Sequence, residues 1–275
     1  MSILDTYQIC IPSYKRHDTV MNKTLTVLES YNIDPNGIKV FVNDQEEGEY
    51  DNYVRTLSST EYTKNIEVVK GVPTIGAQRN FIEKWYPEGT YVMSFDDDIE
   101  EVQVKTGEQT LGRVEDFEKE VIERGFKACE ENNAKTFGIY AAANAYFMKH
   151  RTYTKLCYII ASMYGFIADH DEGLNRVTNH GEDYEYSMRQ YRKHGVVIRL
   201  DDITVKSNYY KEEGGLQTFR TEENIRKSIE WIAEEFNELC TMYIRKSTGH
   251  AELKLRDSTG GKYAKYEKSL ENFSF

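Results

Sequence analysis

Proline is scarce: four residues in 275, at Pro12, Pro35, Pro73 and Pro87, so nothing past the first third can be a proline-rich linker. Cysteine is equally thin. Cys10, Cys129, Cys157 and Cys240 lie far apart and form no CxxC, which argues against a zinc knuckle or a disulfide framework and fits a reducing, cytoplasmic compartment. Long apolar runs are missing too. The longest, Leu156 to Ala168, has thirteen residues, against the ~20 that a membrane-spanning helix needs, so no membrane partner is expected. The opening Ser2, Asp5 and Thr6 do not read as a signal peptide. No repeat, low-complexity tract, P-loop or GxGxxG occurs, which disfavours a Walker-type ATPase and an ordinary dinucleotide site.

A net positive charge is also absent. The formal charge is −11, which argues against a protein that coats nucleic acid along its whole surface. The charge is uneven, however. Lys149, Arg151 and Lys155 form an acid-free basic stretch, and Met242 to Phe275 carries seven Lys or Arg against four Asp or Glu. A local basic track can still meet phosphates.

What the chain has is enough apolar and aromatic material, 39% and 13%, to build a core. Tyr7 to Ile11 is an apolar run that ends at Pro12. Thr19 to Leu28 has helical spacing, and Ile38 to Val42 and Ile66 to Val69 read as strands. Thr74 to Trp85 is helical, and Tyr91 to Phe95 is a strand. Short buried strands alternating with helices predict a parallel α/β sheet. Beyond it, Val114 to Glu131 predicts an amphipathic helix. Phe137 to Phe147 and Cys157 to Ile167 predict strands separated by a turn, and Asp183 to Lys193 a helix followed by a strand over Val196 to Leu200. Lys206 to Thr218 predicts a polar loop, and Thr221 to Leu239 a helix with Thr221 as N-cap. The last thirty residues predict an arm or weakly ordered tail. The division expected is a catalytic domain over 1–220 with a C-terminal helix and basic arm, 221–275, packed on it.

Four segments carry candidate chemistry. Asp96-Asp97-Asp98 follows the strand Tyr91 to Phe95, and ligands of open α/β sheets gather at the carboxyl ends of strands. Carboxylates two apart share a side, so Asp96 and Asp98 can converge on one hard divalent cation, Mg²⁺ or Mn²⁺, while Asp97 points the other way. A plain acidic turn is the bland alternative. Asp44 follows the second strand and can accept the hydrogen bonds of a nucleoside. In Gly71 to Asn80 (GVPTIGAQRN), Gly76 permits close approach of a ligand and Arg79 can meet phosphate or anchor an acidic site. Glu182 and Asp183 open a helix. There they either serve its dipole or place one carboxylate in the cleft as a general base.

The stretch Ile9 to Arg16 (ICIPSYKR), the Gly-Ala-Gln-Arg-Asn of Gly76 to Asn80, the strand-end Asp96-Asp97-Asp98 and the later Glu182-Asp183 occur in that order. Together they resemble the GT-A-fold nucleotide-sugar glycosyltransferases, over roughly residues 7 to 210. The resemblance implies a Rossmann-like mixed sheet flanked by helices. Pro12, Tyr14 and Arg16, with the acid at Asp44, would hold the nucleoside, and Gly76 and Arg79 would support the donor. Asp96 and Asp98 would carry Mn²⁺ or Mg²⁺ on the diphosphate of a UDP-sugar, with Asp97 counted in the same cradle. Asp183, or its neighbour Glu182, would be the base. Lys206 and Lys211 would close over the diphosphate.

The Thr-Ile-Gly-Ala-Gln-Arg-Asn form, the aromatic middle strands and the Ser207 to Tyr210 loop before Gly214-Gly215 resemble, more narrowly, the phage TET-associated enzymes that glycosylate 5-hydroxymethylpyrimidines in DNA. That likeness implies a DNA partner held by Lys149, Arg151 and Lys155, and a host-cytoplasmic location. A nucleotidyltransferase and a non-catalytic metal- or DNA-binding module remain open alternatives.

Overall fold

The computed structural model describes residues 2–43, 45, 47–207, 221–246 and 249–256. The chain begins with β1 (Gln8–Ser13), then α1 (His17–Val20) and α2 (Thr26–Ser30), joined through a π-helical turn at Met21–Leu25. There follow β2 (Ile38–Val42), α3 (Glu49–Leu57), β3 (Glu67–Lys70), α4 (Ile75–Trp85) and β4 (Tyr91–Phe95). Next come β5 (Ile99–Lys105), β6 (Leu111–Arg113), a helix that tightens into α5 (Arg124–Asn132), β7 (Thr136–Ile139), β8 (Thr152–Tyr153) and β9 (Met163–Ile167). The last elements are α6 (Glu182–His194), β10 (Ile198–Leu200), β11 (Ile203–Ser207), α7 (Glu222–Glu235), β12 (Cys240–Ile244) and β13 (Ala251–Leu255).

Eight strands form one sheet in the order β3-β2-β1-β4-β9-β7-β10-β8. β3, β2, β1 and β4 are mutually parallel, and β9 runs against both β4 and β7. β10 is parallel to β7. The carboxyl ends of β1, β2, β4, β7 and β10 therefore lie on one rim. The strand order reverses between β1 and β4, which opens a crevice there. Both faces of the sheet are covered. Ile9, Ile11, Val40, Met93 and Phe95 join Leu25, Leu28, Phe117 and Phe126 on one side. Cys10, Phe41 and Val92 join Ile82, Tyr86, Phe166, Tyr186, Ile232 and Phe236 on the other. The alternation is the two-residue period of a strand, and the nearly continuous apolar runs are those of strands buried on both faces. No helix among the described residues is long and apolar enough to cross a membrane, and all four cysteines are buried and unpaired.

The expected mixed α/β sheet with flanking helices is present. Both Ile38–Val42 and Tyr91–Phe95 form strands over the predicted residues, and the Thr221 side chain caps α7 by accepting from the Asn224 N–H at 3.2 Å. Four expectations need correction. β1 runs through Pro12 instead of stopping there. The Ser13 carbonyl faces β2, so the N–H that Pro12 lacks would face β4, whose pairing with β1 has already ended at Cys10↔Ser94. The two long aromatic strands shrink to four and five residues. Cys157, Ile159 and Ala161 are buried without sheet pairing, because apolarity reports burial and not hydrogen bonding. Lys206 lies on β11 and not in a loop. Ala251–Leu255, inside the stretch expected to be a weakly ordered tail, pairs antiparallel with Cys240–Ile244.

Candidate active site

The crevice between β1 and β4 is lined by the acidic triplet, and the three carboxyls do not behave alike. Asp97 turns into the protein. Its Oδ2 accepts from Ser13 Oγ at 2.6 Å and its Oδ1 faces Arg16 Nη1 at 3.1 Å. The Ser13 hydroxyl is itself 2.7 Å from the Tyr53 hydroxyl, and Tyr53 accepts from the Arg16 N–H at 3.0 Å. Burial pushes Asp97 up to about 7, against the pull of Arg16 and Ser13. Asp96 takes the other guanidinium: Arg79 Nη2 lies 2.9 Å from its Oδ1. Burial raises this carboxyl too, and Arg79 opposes the shift. Asp98 is buried as well. The turn carrying the triplet is fixed by Thr24, whose hydroxyl donates to the Asp96 carbonyl at 2.7 Å and accepts from the Ile99 N–H at 3.0 Å.

Arg79 joins this group to a second acidic pair. It projects from α4, is 3% exposed, and its Nε stands 3.7 Å from Glu182 Oε1, too far for a hydrogen bond. Glu182 and Asp183 start α6, directly after Gly181, whose φ of +73° is a left-handed turn that glycine adopts freely. Burial and the neighbouring Asp183 push Glu182 up to about 7. Burial also raises Asp183, while a hydrogen bond from Tyr158 opposes it. That bond joins Tyr158 OH to Asp183 Oδ2, and Asp183 Oδ1 accepts from the Tyr184 N–H at 2.9 Å. Tyr158 stacks on Tyr184 with ring centroids 4.2 Å apart.

The loop before α6 is held rigidly. Glu185, fully buried, accepts from the Val177 and Thr178 N–H groups, the Thr178 hydroxyl and Arg189. Asn80 and Arg176 exchange a reciprocal pair of bonds at 2.8 and 2.9 Å. This loop corrects the reading of Gly76. A Cβ there would meet the Thr178 carbonyl at 2.5 Å, and the Gly76 N–H donates to Asn179 at 3.3 Å, so its open side is filled by protein and not by ligand.

The predicted residues thus divide. The structure pairs Arg16 with Asp97 and sets Arg79 between Asp96 and Glu182, with Asp183 next to Glu182 at the start of α6. Pro12 is buried within β1, and Tyr14 is half-buried with the Lys15 ammonium 5.2 Å from its ring. Lys206 pairs with Glu100 at 3.4 Å, just past the triplet. Asp44, Lys211, Gly214 and Gly215 lie outside the described residues. Lys149 and Lys155 are exposed, and Arg151, also exposed, shares the Asp201 carboxylate with Arg199, at 2.7 and 2.6 Å. Ser13, Thr24, Tyr53 and Tyr158 escaped the sequence reading. Ser13 sat inside the quoted motif, whereas Tyr158 was hidden in a run read as strand.

Asp96, Glu182 and Asp183 therefore lie near one another around Arg79, with Asp98 next to Asp97, which turns inward onto Ser13 and Arg16. Hard oxygen donors with incompletely answered negative charge fit a divalent cation. Among the described residues no three His, Cys, Asp or Glu side chains already converge on one point. A cation held by two of these carboxylates would complete its shell with oxygens of a ligand or water, the usual habit of Mg²⁺ beside phosphates.

No protein-family model matches the chain, and no curated protein matches it by sequence. Solved structures do match in fold. Residues 1–349 of S. aureus TarS, in complex with UDP-GlcNAc, superpose with a TM-score of 0.56 at 14% identity, over 84% of this chain and 66% of that one. The mannosyl-3-phosphoglycerate synthase of Rubrobacter xylanophilus gives 0.51 at 12% identity, over 90% of this chain and 83% of that one. The present chain spans just under two thirds of the TarS fragment. The architecture is the GT-A, Rossmann-like one.

Proposed function

We propose that this chain is a metal-dependent glycosyltransferase that moves a sugar from a UDP-sugar to a hydroxyl group, the acceptor being a 5-hydroxymethylpyrimidine in phage DNA. The observation that carries the reading is the linked network at the β1–β4 crevice, in which Arg79 ties the strand-end Asp96 to the helix-start Glu182. A GT-A fold holding a UDP-sugar in a similar protein supports the donor class. The acid-free stretch from Lys149 to Lys155 supports a polyanionic acceptor.

In this reading Asp96 and Asp98 would hold Mn²⁺ or Mg²⁺, which would supply charge neutralisation on the departing diphosphate. Arg16 and the β1 end flank the nucleoside, and Arg79 bridges Asp96 and Glu182 and offsets their mutual repulsion. Asp183 accepts the proton of the acceptor hydroxyl. The hydroxyl oxygen bonds to the anomeric carbon, the bond from that carbon to the diphosphate oxygen breaks, and its electron pair leaves with UDP. A base raised toward neutrality by burial is matched to this task. Because Glu182 and Asp183 are adjacent and both buried, they titrate as a pair. Tyr158 holds one Asp183 oxygen and orients it.

The test is a screen of UDP-sugars with Mn²⁺ against hydroxymethylated and unmodified DNA, read by mass spectrometry and by the released nucleotide. A hexose-sized mass gain on hydroxymethylated DNA alone, with free UDP, is the expected result. Pyrophosphate from a nucleoside triphosphate would instead identify a nucleotidyltransferase, and transfer to small alcohols without response to DNA would reject the acceptor.

A further inference from the structure

Residues 140–151 leave the carboxyl end of β7, two strands and about 10 Å from β4, on the same rim as the crevice. The segment is irregular but tied down. Tyr140 N–H donates to Ile203 at 2.8 Å, Lys149 N–H to the Asp201 carbonyl at 3.1 Å, and Lys105 Nζ to the Ala145 carbonyl. Ala145 and Met148 are buried anchors. Between them two large rings face solvent: Tyr146 is 68% and Phe147 59% exposed, the only large apolar side chains above one half among the described residues. The rings meet nearly at right angles, 87°, with centroids 4.9 Å apart, so they form a rigid corner. Exposed Lys149 and His150 follow at once, and no carboxylate occurs from Tyr146 to Lys155.

We propose that Tyr146 and Phe147 form a stacking platform for an unpaired base of the nucleic-acid acceptor, with Lys149 on the adjoining phosphate. The inference rests on the acceptor reading above and deepens it. Exposed rings held by a fixed backbone offer a flat apolar face at little entropic cost, and bases stack on such faces whatever their sequence. A cationic flank in a chain of net charge −11 selects a partner that is both aromatic and anionic, which a neutral glycan is not. A base presented for modification must leave its duplex stack. The platform lies by Lys105 at the far end of β5, about 20 Å along that strand from the triplet, so it would receive a neighbouring nucleotide of the same strand.

The test measures binding of two fluorescent single-stranded oligonucleotides of equal length and charge, one with pyrimidine bases and one abasic throughout, to the full chain. The wild type should prefer the base-bearing strand. Tyr146→Ala/Phe147→Ala should weaken that strand by about ten-fold, the order of one stacked base, and leave abasic binding unchanged, while Tyr146→Phe retains wild-type affinity. Equal affinity of the wild type for both strands, or an equal loss on both in the double variant, would overturn the platform. UDP binding with Mn²⁺ is measured on the same proteins. Its absence from the wild type would reject the donor reading while leaving the platform standing, and its presence with no base preference would do the reverse.

Discussion

The two ends of the sheet's carboxyl rim are built on opposite plans. At the β1–β4 crevice the charged groups are wholly or partly buried and several are paired, as Asp97 is with Arg16 and Ser13, and Asp96 with Arg79. At the β7 end Tyr146, Phe147 and Lys149 stand in solvent on a pinned backbone. Buried charges in a low dielectric are strong, costly and preorganised, which suits a small charged donor and bond-breaking chemistry. Exposed rings and a lone ammonium are individually weak and tolerant, which suits a large partner held over an area. Changes at the first end should therefore strike turnover, and changes at the second should strike acceptor affinity alone.

The largest effect is expected at the triplet. Asp96→Asn or Asp98→Asn should lower UDP release at saturating acceptor by roughly 10²-fold or more, as befits loss of electrostatic stabilisation of the leaving group. Near-normal turnover in Asp98→Asn would remove the metal role. Next comes Asp183→Asn, expected to cut single-turnover rate by about 10²-fold with donor affinity unchanged, the scale of a lost general base. Glu182→Gln should do less, and a reversed order would move the base to Glu182.

A smaller effect concerns pH. The Glu182–Asp183 pair must lose a proton before accepting one, and Glu182 is pushed up to about 7. Burial also raises Asp183, the base, so kcat/KM should rise with pH and level off above an acid limb displaced upward from the usual carboxylate range. Tyr158 donates to Asp183 and so favours its ionised form. Tyr158→Phe should move the limb to higher pH and slow transfer a few-fold at neutrality, with little change on the alkaline plateau. A limb that stays in place would make Tyr158 a packing residue only. Smallest is Lys149→Glu, which should raise the DNA Michaelis constant a few-fold, less at high salt, with UDP affinity untouched.

The same contrast governs what the sequence could disclose. The crevice acids were legible because Asp96 to Asp98 adjoin a strand, and Glu182-Asp183 a helix, whose periodicity is plain. That Arg79 would anchor acids was one of two readings, and only the packing of α4 against the sheet decides it. Tyr158 was invisible because its segment is buried without being a strand. β13 carries a period-two pattern at Ala251, Leu253 and Leu255, yet it stands in a polar, basic, glycine-containing stretch that reads as tail, and its partner β12 exposes Tyr243 and Ile244. The platform was readable as charge in Lys149 to Lys155. Its rings were not, since apolarity at Tyr146 and Phe147 looks like core until the backbone turns them outward.

The most direct test of the central claim, that the β1–β4 crevice is a metal-dependent nucleotide-sugar site, is calorimetric titration of UDP into the wild type and Asp98→Asn, each with Mn²⁺ and with chelator. The account predicts binding to the wild type that needs Mn²⁺ and at least a ten-fold loss in Asp98→Asn, the least that loss of an anionic ligand to a hard cation should cause. UDP binding equally well to both proteins with chelator present, or to neither with Mn²⁺, would contradict it.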